Sequence, residues 1–203
     1  MMLRNTKLYL LVIICLLHIL DGNGQNIKSF EILISELMFD PIPAVSLGGY
    51  EYVEIYNNGL DTLNLEDCIW QVGSKSVHLP EFFVPPRTAI LLLPPKIQPI
   101  GTCEYINLEK WITLPNSGQY VVLKRPDGQI IHFAEYSPGL YPDALKRDGG
   151  WSLDLLCSQY PCSPDSWKPS DDPQGGSPGY LPLSECRLKD SEFVKPMRCG
   201  YLE

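Results

Sequence analysis

Histidine and clustered positive charge are what this chain has least of, and each shortage excludes a class of chemistry. Only three histidines occur in 203 residues, His18, His78 and His132. No Gly-x-Ser-x-Gly elbow accompanies His78 or His132, so a serine nucleophile with its base has no sequence support. His132 lies between Ile131 and Phe133 in a strand-like run, where the expected role is packing or surface rather than catalysis. The cysteines contain no C-x-x-C pair and the histidines are not clustered, which removes the usual zinc spacings. Phosphate-loop and dinucleotide glycine fingerprints are absent. Lys and Arg number 16 against 24 Asp and Glu, for a formal net charge of -8 and a pI near 4.9. With no basic run anywhere, the chain lacks the surface that tracks nucleic-acid phosphates. No internal repeat and no convincing amphipathic helix are present.

What is there reads as β structure. With 44% hydrophobic residues, 19 Pro and 16 Gly, the composition favours short elements separated by frequent turns, in one domain with a core of its own. The plainest strand is Tyr50 to Asn57, bounded by Gly48-Gly49 and Asn57-Asn58-Gly59. Side chains alternate across a strand, so Tyr50, Tyr52, Glu54 and Tyr56 share one face and Glu51, Val53 and Ile55 the other. Its first candidate partner is Phe30 to Met38, where Ile32, Ile34 and Glu36 alternate with Leu33, Ser35 and Leu37.

Leu60 to Leu65, Cys68 to Val72, Ser76 to His78 and Phe82 to Val84 follow as short strands, with Pro80, Pro85 and Pro86 confining the last two to edges or bends. Thr88 to Leu93 shows no alternation and is expected to be buried on both faces. Pro94 to Gln98 is expected to be a loop, and the stretch from there to Thr113 is the least readable. Gln119 to Lys124 and Gln129 to Glu135 form the clearest hairpin, joined by Arg125-Pro126-Asp127-Gly128, because Pro and Gly supply the turn dihedrals. The steady succession of strands predicts a β-sandwich or barrel.

The first 24 residues are expected to be a cleavable signal peptide. Arg4 and Lys7 precede an apolar run from Leu8 to Leu20, and Gly22 and Gly24 supply small residues for cleavage before Gln25. That run falls short of the roughly 20 residues that span a bilayer, so no membrane span is expected in the mature chain. Ile14 stands before Cys15 where a lipoprotein signal needs a small residue. Removing the leader leaves Cys68, Cys103, Cys157, Cys162, Cys186 and Cys199, an even count that predicts three disulfides outside the cytoplasm. Cys157–Cys162 and Cys186–Cys199 close the shortest loops; six cysteines allow fifteen connectivities.

Several stretches together resemble the lamin-tail domain of secreted bacterial proteins. They are Ile34 to Pro41, Tyr50 to Asn57, the Asn116-Ser117-Gly118 turn with the Asp127-Gly128 hairpin, Asp148 to Leu153, and a closing set. The closing set is Pro161-Cys162, Trp167-Lys168, Asp172-Pro173 and Gly175 to Gly179. The resemblance covers roughly Phe30 to Pro182 and implies an immunoglobulin-like β-sandwich over 25–182, with 183–203 a cysteine-containing tail that has no family counterpart. It also implies a non-catalytic interaction or anchoring module, so an enzyme is not expected.

Three sets of side chains are candidates for a site. Glu36, Asp40, Glu51 and Glu54 lie on or beside two strands that are expected to pair, and hard oxygen ligands converging there would take calcium. The competing view, favoured because calcium loops carry denser Asp, Asn and Gly, makes Glu36 and Glu54 hydrogen-bonded structural carboxylates. Asp165, Asp171 and Asp172 form a second acidic group. Tyr50, Tyr52 and Tyr56 would make a platform for stacking sugar rings if their face were open. Trp70, Trp111, Trp151 and Trp167 carry the same two readings, and for Trp151 and Trp167 the match to the lamin-tail pattern implies packing.

Without its leader the chain carries 14 basic and 23 acidic residues, which steers it from nucleic acid and anionic lipid toward neutral or cationic protein or glycan. The expectation is a secreted, periplasmic or cell-surface binding module at the cell envelope, with no cofactor beyond a possible calcium ion. The alternative is an accessory domain or fragment of a larger secreted nuclease or phosphatase. If the tyrosine face is interior, the contact falls on Pro41 to Gly49 or Ser163 to Gly176.

Overall fold

The computed structural model describes residues 26–158, 161, 163 and 166–180. The expected leader over 1–24 and tail over 183–203 lie outside them. Twelve strands are present among the described residues: β1 (Ile32–Met38), β2 (Tyr52–Asn57), β3 (Leu63–Asn64), β4 (Ile69–Val72), β5 (Lys75–His78), β6 (Phe83–Val84), β7 (Ala89–Leu93), β8 (Tyr105–Asn107), β9 (Gln119–Lys124), β10 (Ile130–Tyr136), β11 (Leu153–Leu155) and β12 (Trp167–Pro169). The helical elements among the described residues include a 3-10 turn at Pro138–Leu140 and the four-residue α1 (Ala144–Arg147).

A six-stranded sheet runs β12-β11-β1-β2-β7-β8, a four-stranded sheet runs β10-β9-β4-β5, and β3 pairs with β6. All neighbours are antiparallel except β7 and β8. The two larger sheets face each other across one core: Val53, Ile55, Ile90 and Leu92 come from one side, Trp70, Val121 and Leu123 from the other. The i, i+2 spacing within each set is the strand period, which sends alternate side chains inward. Burying each such side chain contributes roughly 1.5–3 kcal/mol. No helix among the described residues is long and apolar enough to cross a membrane.

The hairpin from Gln119 to Tyr136 forms as its turn residues dictate, with Gly128 N–H donating to Arg125 O at 2.9 Å. β7 is buried on both faces from Ile90 onward. β8, β11 and β12 carry no readable alternation in the sequence; they are three-residue strands, too short for a period of two to register.

One departure from simple alternation matters for the site. The β1–β2 register shifts between Ile34 and Glu36, a bulge that puts an extra residue into β1. Ile34 and Leu37 both join the main core, while Ser35 and Glu36 both bond on the opposite, outer face. Strict alternation would have separated those two.

Candidate functional site

The outer face of the six-stranded sheet holds a row of acids. Across β11, β1 and β2 the register places Asp154 opposite Glu36 and Glu36 opposite Glu54. All three are buried. Directly paired strand residues bring side chains to about 5 Å, where two carboxylates repel by about 3 kcal/mol even at an effective dielectric of about 20. Three adjacent charges are therefore disfavoured, and the count of donors around the row points the same way. Ser152 Oγ lies 2.6 Å from Glu36 Oε1 and 2.9 Å from Asp154 Oδ1, yet a hydroxyl has one hydrogen to donate. One of the two acids must supply the other.

Glu36 Oε1 also accepts from Tyr52 Oη at 2.5 Å, and Glu54 Oε1 accepts from Ser35 Oγ at 2.6 Å. Glu36 Oε2 is buried with no partner among the described residues, which is far less costly for a neutral acid than for a carboxylate. Burial, then the charges of Asp154 and Glu54, raise the Glu36 pKa well above its ordinary value. Burial likewise raises Glu54 from 4.5 to about 7 and Asp154 from 3.8 to about 6.

A segment from the end of the described chain closes over this row. Ser177 N–H donates to Glu36 Oε1 at 2.9 Å and Gly179 N–H to Glu54 Oε2 at 2.6 Å. Gly176 passes so close that a Cβ there would sit 2.4 Å from Tyr52 Oη and 2.7 Å from Glu36 Oε1, so a larger residue would have to displace them. Lys146 of α1 holds the preceding turn, donating to Ser170 O and to Asp171 Oδ1, with its ammonium 4.7 Å from the Trp151 ring centroid. A cleft of about 170 Å³ opens beside Asp154, lined also by Lys168, Ser170, Ser177 and Tyr180.

The four expected calcium ligands do not converge. Glu36 and Glu54 are the structural carboxylates just described. Glu51 accepts from Trp111 Nε1 at 2.6 Å and from Leu114 N–H at 3.1 Å, pinning the patternless stretch before β9 to the start of β2. Asp40 is half-buried, its carboxyl raised by burial and lowered by a hydrogen bond from the Ile42 backbone. Among the described residues no three acidic, His or Cys donors surround a common point. Of the second acidic group, Asp171 pairs with Lys146 and Asp172 closes a turn by accepting from Gln174 N–H; Asp165 lies outside the described residues.

The tyrosine platform is not available. Tyr52 is 1% exposed, with Gly176 against its hydroxyl, and Tyr56 is 7% exposed; Tyr50 is half-buried and accepts from Ile100 N–H. His132 is fully buried and neutral: Nδ1 accepts from Ile34 N–H at 2.8 Å, and burial lowers its pKa to about 4. His78 is exposed, 3.9 Å from Asp67. Trp70 and Trp167 are buried and Trp111 and Trp151 half-buried, as packing residues.

Cys157 is disulfide-bonded, but Cys68 and Cys103 are free thiols, which overturns three bridges from six cysteines. Cys68 belongs to the main core and Cys103 packs on the outer-face cluster. They have no access to one another. Cys162, Cys186 and Cys199 lie outside the described residues.

Asp154, Ser152 and the amides of Ser177 and Gly179 were missed at the level of sequence. Asp154 did carry a signal, since an acid between Leu153 and Leu155 has the same signature as Glu36 and Glu54, an acid inside an apolar strand. Chemically the row can store and release protons and anchor backbone N–H groups. Neither models of known protein families nor curated proteins give a match to this chain.

Proposed function

We propose that this chain is an exported binding or anchoring module of the lamin-tail type, with an immunoglobulin-like sandwich, acting on a protein partner at the cell envelope. One observation carries the reading. The loop between β1 and β2 presents aliphatic side chains to solvent from a base that is itself locked down. Ile42 is 61% exposed, Val45 41% and the neighbouring Ile100 49%. Gly48 and Gly49 lie beside two of them: a Cβ on Gly49 would lie 2.9 Å from Ile42 Cδ1, and one on Gly48 3.7 Å from Ile100 Cδ1.

Beneath them Gly150 N–H donates to Asp40 O at 2.7 Å, and a Cβ on Gly150 would meet Pro43 O at 2.2 Å. Exposed aliphatic side chains on a braced loop have the character of an interaction surface. Aliphatic residues suit a protein contact better than a sugar ring, which stacks on aromatic faces, and of the tyrosines that would have stacked Tyr52 and Tyr56 are buried. The net charge of -8 favours a partner with basic surroundings. The polar side chains that chemistry would draw on, His132 and the buried acids, are occupied in holding the fold together. The accessory-domain alternative assigns the same surface a partner within a larger secreted hydrolase.

The test is retention on envelope material by wild type and by the paired variant Ile42→Ser with Val45→Ser. Saturable binding that the variant loses by at least about tenfold, and that protease treatment of the envelope abolishes, supports the reading. Binding that survives protease points to glycan instead. Esterase, phosphatase or nuclease turnover that persists through repurification and disappears on His78→Ala overturns it.

A further inference from the structure

We propose that the Asp154–Glu36–Glu54 row is a proton-operated latch that holds the segment Gly175–Tyr180 across the outer face of the sheet and releases it as the row loses protons. This stands apart from the binding role proposed above. The geometry supplies three parts. The acids are in direct cross-strand register, so their charges act on one another. Ser152 bridges Glu36 and Asp154 with one hydrogen for two acceptors, so at least one proton is resident in the closed state. The segment is tied to the row itself, through Ser177 N–H on Glu36 and Gly179 N–H on Glu54.

Ionisation strengthens each N–H···O contact taken singly. It also places like charges side by side in a covered space, and burial is the first cause of the raised pKa of all three acids. Lifting the segment would uncover Gly176 and Ser177, which are buried against the row, and admit water by way of the cleft beside Asp154. In water the acids recover lower pKa values. The closed state therefore binds more protons than the open one, and opening is favoured by rising pH.

The other ionisable groups around the row do not offset this. Tyr52 on β2 donates to Glu36, and Cys103 on the β7–β8 loop is held neutral, its thiol pushed up to about 12 by burial and then by the charges of Glu54, Glu36 and Glu104. Tyr141, before α1, has its pKa raised by burial, then by Asp154, Asp40 and Glu36. Lys146 is the cation that acts on Asp154, and it is engaged with Asp171. Lys168, Asp172 and Tyr180 line the cleft rim.

Amide hydrogen exchange on the wild-type chain, corrected for intrinsic rates, tests the latch at about pH 5 and about pH 8. Protection of Ser177 and Gly179 should fall by at least about tenfold between the two, while Val121 to Leu123 in the core keep theirs. Glu54→Gln and Asp154→Asn, each removing one ionisable member of the row, should each reduce the fall. Unchanged protection at Ser177 and Gly179 overturns the proposal. So does a fall shared equally by Val121 to Leu123, which would be global unfolding, or a folded Glu54→Gln with the wild-type profile.

Discussion

The six-stranded sheet buries both of its faces, by different means. On the inner face Val53, Ile55, Ile90 and Leu92 meet Trp70, Val121 and Leu123 of the opposite sheet in a mainly apolar core. On the outer face the sheet presents Tyr52, Glu36, Glu54 and Asp154, and what covers them is a loop segment rather than a sheet. Apolar packing is indifferent to pH and to the identity of single atoms. The polar face depends on counted hydrogens and on glycines that leave room for backbone. The inner face should therefore carry most of the stability, and the outer face most of the sensitivity to conditions.

The largest effect is expected from Trp70→Ala, which empties a fully buried site and should cost about 3–5 kcal/mol, read as a lowered urea midpoint for the whole domain. Gly176→Ala on the other face should cost less, about 1–3 kcal/mol, because only the covering segment is displaced by the clash with Tyr52 and Glu36. Exchange protection should then be lost around Ser177 but not at Val121 to Leu123. A global midpoint shift for Gly176→Ala equal to that of Trp70→Ala would break the distinction between the faces.

Next in size is the pH dependence, where two buried groups act with opposite signs. Glu54 rises from 4.5 to about 7 on folding, so the folded state holds the extra proton and its contribution, full below about 4.5, is lost as pH rises toward 7. His132 falls from 6.5 to about 4, so its contribution is full above about 6.5 and is lost as pH falls toward 4. Each is worth on the order of 1–3 kcal/mol. Denaturation midpoints across this range should show Glu54→Gln flattening the alkaline side of the profile and His132→Gln the acidic side. Both variants tilting the same way would refute the assignment.

The smallest effect concerns the two free thiols, one on each face. Burial pushes Cys68 up to about 11 and Cys103 to about 12, leaving little thiolate at neutral pH to react. Alkylation followed by mass should be slow at both in the folded protein and fast in denaturant. Cys103, only half-buried, should react before the core residue Cys68.

What this chain's sequence determined by itself was local. Alternation over Tyr52 to Ile55 and the Pro-Asp-Gly turn of the hairpin settle strands and a turn from a few adjacent residues, and with the spacing of Pro and Gly they settle an all-β chain. The doubled acids of Glu36 and Glu54 were visible as polar residues in apolar strands, and their structural use was the favoured reading. Three things were decided only by tertiary structure. The bulge at Ser35 reversed the phase of β1, because it depends on pairing with β2 rather than on β1's own pattern. The tyrosine face was closed and Asp154 joined to the row because residues far along the chain returned to them. Ser177 bonds to Glu36 across 141 positions, and no periodicity within a strand records what will cover its second face.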